Sequence, residues 1–179
     1  MKYDSIADIY SANRMFRERF AATVNSITPD EGAALPDGEK WSIQQIAEHV
    51  AIVNIGIAGI CAKMLEKARE DGIPSDGSFT LSETFGAHAA GIGQQKLEAP
   101  ERVHPTGEVT LAEAMARLEA NVEPLDAIRG GLEQFDCSAH TFLHPYFGPL
   151  TAGEWLVVAG LHENRHRDQI EKILKEIRQ

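Results

Sequence analysis

The chain has 179 residues, long enough to bury a core without disulfides or a structural metal, and a single domain over residues 1–179 is expected. Lys and Arg number 17 against 27 Asp and Glu, a formal net charge of -10, with no basic tract and no aromatic residues interleaved with cations. That balance argues against nucleic acid and anionic membrane as partners.

The N-terminal stretch MKYDSIADIY has no apolar signal core, and no stretch reads as the ~20 apolar residues that span a bilayer, so a cytoplasmic protein is expected. A first helix is expected from about 4 to 27, where Ile6, Ile9, Tyr10, Met15, Phe16 and Phe20 repeat in a loose helical pattern. The turn-rich string PDEGAALPDGEK then leads to a second helix, 42 to about 69, opened by Ser42 with Gln45 three places on. That pairing is a capping box, in which two orphan backbone donors are satisfied reciprocally. Cys61 lies in this helix and Cys137 far from it; two unclustered cysteines fit a reducing compartment, as buried or half-buried thiols with no disulfide.

A connection of about forty residues, 70–109, follows. Its length calls for structure of its own, and a short helix is expected around 82–96, covering one end of the domain. A second capping box, Thr110 with Glu113, opens a third long helix, 110 to about 135. The turn formers of HTFLHPYFGPL then precede a third box, Thr151 with Glu154, and a last helix, 151 to about 177. Strand signals are nearly absent. Four long helices make an all-α four-helix bundle, with a long crossing connection between the second and third helices.

Within the last helix the chain reads HENRH, His162 to His166, the form of a metalloprotease signature. On a helical wheel both histidines fall in the core-facing stripe with Trp155, Val158, Ala159, Ile170 and Ile173. His49 on the second helix faces the core as well, among Ile46, Val53, Ile57 and Ile60. Two histidines four apart can close on one ion, and His49 would complete a three-imidazole site between helices. Three neutral ligands leave an open position, as in catalytic zinc, where an ion can activate water or hold a thiol as thiolate. Imidazoles suit zinc, nickel, copper or iron alike.

Proteolysis fits poorly. The extended motif wants Gly and His three and six residues past the second histidine, where this chain has Gln169 and Lys172. Glu163 falls about 80° from the midpoint of the pair, at the flank of the stripe. It reads as a partner behind the ligands, a general base, or a helix-edge carboxylate paired with an arginine. His140 and His144 are also four apart, but Pro145 and turn-rich flanks place them in a loop, with His144 or Tyr146 able to line the mouth of a pocket. His88 and His104 lie in the long connection and are expected to be solvated. Cys61 is about 120° from His49, off the site, and Cys137 has no activating neighbour. Trp41 and Trp155 read as packing residues.

The string KWSIQQIAEHV together with HPYFGPLTAGEWLVVAGLHENRHRDQIEKIL resembles the DinB-like superfamily, the DinB/YfiT group, over about 41–177. The resemblance implies a four-helix bundle and a metal triad of one histidine from the second helix and two from the last, here His49, His162 and His166. It implies zinc or nickel, and activities that transfer or isomerise with low-molecular-weight thiols such as bacillithiol, mycothiol or glutathione, or that hydrolyse small substrates. It also implies a homodimer with the long connection near the interface. The expected function is therefore a metal-dependent, thiol-dependent S-transferase acting on small electrophiles. The alternative is a non-catalytic metal- or small-molecule-binding bundle of a stress response; a small metal-dependent hydrolase ranks behind both.

Overall fold

Each of the three capping boxes read in the sequence forms, in a computed structural model that describes residues 2–92 and 98–179. Both reciprocal bonds are present at Ser42–Gln45, Thr110–Glu113 and Thr151–Glu154. They fix the starts of the second, third and last long helical segments, whose first backbone donors would otherwise be unpaired. α1 (Ile6–Val24) starts at Ser5, whose side chain accepts from the Asp8 amide. A fourth box, Thr28 with Glu31, opens a short α2 (Pro29–Ala33) inside the stretch read as turn. α3 (Ile43–Asp71) runs until Gly72 takes a left-handed φ of 68°.

The third long helix of the sequence reading is broken in two. α5 (Leu111–Ala120) and α6 (Val122–Gln134) meet at Asn121. Pro124 explains the break, because it has no N–H to offer the carbonyl of Ala120 and its ring clashes with that carbonyl in a continuous helix. Between α3 and α5 the crossing connection forms α4 (Glu83–Ile92), a 3-10 turn (Glu101–Val103) and a segment to Val109. The end of the expected 82–96 helix lies outside the described residues.

α7 (Ala152–Ile177) is the axis of the bundle, packed against α1 on one side and α3 on another, while α3 also carries α5 and α6. The expected core stripe describes only its C-terminal half. From Ala152 to Gly160 every residue is buried, so this half is surrounded on all sides. At Gly160 α1 packs close against α7: a Cβ there would run into the Asn13 amide oxygen and the Phe16 ring. Asn13 Nδ2 donates to the Leu156 carbonyl at 2.9 Å across the same contact. Leu156, Val157, Ile170 and Ile173 are at most 1% exposed, each stabilising the fold by roughly 1.5–3 kcal/mol.

Before α7 the chain makes a small antiparallel hairpin, β1 (Phe142–His144) with β2 (Gly148–Leu150), where the sequence suggested plain loop. Trp155 Nε1 donates to the Phe142 carbonyl at 3.1 Å and ties the hairpin to α7. One sequence expectation was too strong: α3 is long and apolar enough to cross a membrane by length and composition. Of its most apolar window, 56% is buried inside the bundle, as a core helix requires.

Candidate metal centre

His49 lies in the second turn of α3, and His162 and His166 lie one turn apart in α7. Because α3 and α7 pack directly, the three rings converge. His49 Nε2 is 3.1 Å from His162 Nε2, which is 3.1 Å from His166 Nε2. The ligand atoms of all three lie within 4.8 Å of one another. Zinc–nitrogen bonds of about 2.0–2.1 Å at tetrahedral angles would set such nitrogens about 3.3 Å apart. His49 is 3% exposed and His166 is 7% exposed.

The outer nitrogens decide what the inner ones can do. His49 Nδ1 lies 2.7 Å from the Val103 carbonyl, which only accepts, so Nδ1 carries the proton and Nε2 a lone pair. His166 Nδ1 donates to Gln169 Oε1 at 2.9 Å, with the same result. Two lone pairs therefore aim at the Nε2 of His162, whose own Nδ1 is buried with no hydrogen-bond partner among the described residues. One shared ring proton satisfies this arrangement poorly, and a cation satisfies all three nitrogens. Burial holds His49 and His162 below the ordinary imidazole pKa, His162 well below it, and takes His166 down to about 3. All three rings are therefore neutral at pH 7, as metal ligands must be.

Trp41 belongs to the site's wall as well as its packing. Its ring centroid is 4.9 Å from that of His49 and 5.7 Å from that of His104. Glu48, next to His49, is 1% exposed and accepts from the Thr106 amide at 3.0 Å, the Thr106 hydroxyl at 2.7 Å and the Gly107 amide at 3.0 Å. Burial pushes its carboxyl pKa up, but these hydrogen bonds outweigh burial and hold it below the ordinary value. The sequence reading passed over Glu48. A signal was there: no cation stands three or four residues from it, so a carboxylate in so apolar a run needed a partner from elsewhere.

Glu163 is not at the edge of the helix. It is 1% exposed because α1 covers that flank of α7. Arg17 Nη2 lies 2.7 Å from its Oε1, and Asn54 Nδ2 donates to the same oxygen at 3.0 Å. Arg17 Nη1 also donates to the Leu118 carbonyl at 3.2 Å. Burial raises the Glu163 pKa against the opposing pull of Arg17 and Asn54. The arginine pairing expected for this residue is present, in the core, and its described partners do not include the three histidines.

The remaining candidates lie outside the three-histidine cluster. His144 Nδ1 accepts from the amides of Tyr146 and Phe147 at 3.1 and 3.2 Å, within the hairpin turn, and its ring sits 4.9 Å from that of Trp155. His140 pairs with Asp71 at 2.7 Å. His88 and His104 are exposed, as expected, and bond to the Thr84 and Ala99 carbonyls. Cys61 and Cys137 are free thiols, buried and half-buried. Burial raises both pKa values, that of Cys137 to about 11, so neither is an activated nucleophile.

A family model described as the DinB superfamily matches residues 12–170. The chain is also similar to the uncharacterized protein YuaE of Bacillus subtilis (strain 168), at 27% identity over 143 residues, which cover 79% of this chain and 82% of that protein. Among solved structures it is similar to TT2238, described as a four-helix bundle protein, with a TM-score of 0.59 and 19% identity over 92% of this chain and 96% of that one. That likeness supports the four-helix-bundle fold.

Proposed function

The chain belongs to the DinB superfamily, and from that premise we propose that it is a metal-dependent enzyme, a thiol-dependent S-transferase acting on small electrophiles. The observation that carries the proposal is the convergence of three Nε2 atoms, from His49, His162 and His166, between α3 and α7, where desolvation of the rings keeps all three neutral. Zinc or nickel is the ion proposed, on donor chemistry. When bound, such an ion would supply the positive charge that keeps a low-molecular-weight thiol ionised at neutral pH.

The chain's own groups prepare that chemistry. The Val103 carbonyl and Gln169 hold the outer nitrogens of His49 and His166, so their inner lone pairs stay aimed. Trp41 packs against His49 and limits its rotation. Both cysteines are held as protonated thiols, so the sulfur nucleophile comes from the cosubstrate. The proposal includes a homodimer in the cytoplasm.

Metal-loaded protein, offered bacillithiol, mycothiol or glutathione with a small electrophile, tests this reading. Turnover that a chelator abolishes and that His162→Ala removes supports it; no turnover at full metal occupancy overturns it.

A second reading, a bundle that binds metal or a small molecule without catalysis in a stress response, draws on the depth of His49 and His166, which are 3% and 7% exposed. It predicts that chelation lowers the melting temperature while the thiol panel stays silent.

A further inference from the structure

His49 and Glu48 are consecutive residues of α3, and both grip one short piece of the crossing connection. His49 Nδ1 donates to the Val103 carbonyl at one end of it. The Glu48 carboxylate takes three hydrogen bonds from Thr106 and Gly107 at the other. Between these points lie His104, whose ring packs on Trp41, and Pro105, whose ring fixes its own backbone φ. The amides of Val103 and His104 close on the carbonyls of Pro100 and Glu101, so the piece is a turn of defined shape. Gly107 completes it with a φ of 78°, and a Cβ there would press on Gln45 Nε2 at 3.1 Å.

We propose that Glu48 is a positioning residue for the metal ligand His49, acting through residues 103–107 of the crossing connection. The carbonyl that sets the protonated nitrogen of His49 belongs to a loop with little apolar anchorage: Glu101, Arg102, His104, Thr106 and Gly107 are all exposed. A buried carboxylate with three donors from that loop is a strong local restraint, since bonds to an ionised acceptor are roughly twice as strong as neutral ones. Without it the Val103 carbonyl is free to drift from Nδ1. His49 then rotates, or moves its proton to Nε2, and either change removes a lone pair from the triad.

The inference rests on the metal reading, and one experiment separates the two. Zinc affinity is measured by chelator competition for wild type, Glu48→Gln, Gly107→Ala and the control Glu154→Gln. Glu154 is 3% exposed and accepts from Ser82 and Thr151, so it is a buried loop-pinning carboxylate away from the triad. The His49 ring tautomer is read in parallel by long-range proton–nitrogen correlation on the metal-free proteins.

Glu48→Gln is expected to weaken zinc binding by about tenfold or more, the scale on which groups behind metal ligands act. It should also raise the Nε2-protonated fraction of His49. Gly107→Ala should shift both readouts the same way through the strained loop, and it keeps the test open if Glu48→Gln does not fold. Glu154→Gln should leave both readouts at wild-type values. Wild-type zinc affinity and an unchanged tautomer in Glu48→Gln or Gly107→Ala overturn the proposal, as does an equal loss in Glu154→Gln. Failure of the wild type to bind zinc counts against the metal reading instead, and the tautomer measurement still decides the role of Glu48.

Discussion

Arg17 on α1 and Glu163 on α7 meet in the interior, Nη2 to Oε1 at 2.7 Å, with the carboxylate 1% and the arginine side chain 14% exposed. The glutamate of HENRH is therefore spent on joining two helices. Removing one partner of a buried pair leaves an uncompensated charge, and Glu163→Gln is expected to destabilise the fold by about 3 kcal/mol. For a chain of this length that lowers the melting temperature by roughly 6–12 °C. Arg17→Met combined with Glu163→Leu should recover most of the loss, because the desolvation of both ions disappears with them. A general base would instead show itself as lost turnover at unchanged stability.

Glycines on the two sides of the bundle should respond with opposite sign. Gly160→Ala places a methyl against the Asn13 amide and the Phe16 ring, and a cost of about 1–3 kcal/mol is expected. Gly56, in the middle of α3, has nothing within 4 Å of an added Cβ. Gly56→Ala should therefore stabilise by about 0.5–1 kcal/mol, the helix-propensity difference. Denaturant melts of the two variants check both signs.

Acid should loosen the hairpin before it melts the helices. Burial takes the His144 pKa from 6.5 to about 4, so the unfolded chain binds more protons than the folded one between those values. The contribution of His144 to stability is complete above pH 6.5 and is lost as pH falls toward 4. Protonation also removes the acceptor for the Tyr146 and Phe147 amides. The protection of the Tyr146 and Phe147 amides, taken relative to their intrinsic exchange rates at each pH, should fall between pH 6 and 4.5, and His144→Phe should remove that pH dependence.

The helices and their starts were legible because capping boxes and apolar periodicity are local. The triad was legible for a related reason: His49, His162 and His166 each sat on a face that had to point inward, and DinB-like motifs lay around them. Other features depended on partners distant in the chain. Glu163 reads only as a residue at the flank of the stripe, its role open, because the wheel of α7 cannot show that α1 covers that side. Glu48 went unread since its donors, Thr106 and Gly107, lie 58 and 59 residues away in the crossing connection. The break at Asn121 was local and readable, with Pro124 four residues after Ala120 as its mark.

The proposed chemistry requires His49, His162 and His166 to bind one divalent ion, and elemental analysis of protein purified without a nickel column tests for it. The expected result is about one zinc or nickel per chain in the wild type, falling to near zero in His162→Ala with the helical fold retained. Less than about 0.2 metal per chain, unchanged by His162→Ala, would contradict it.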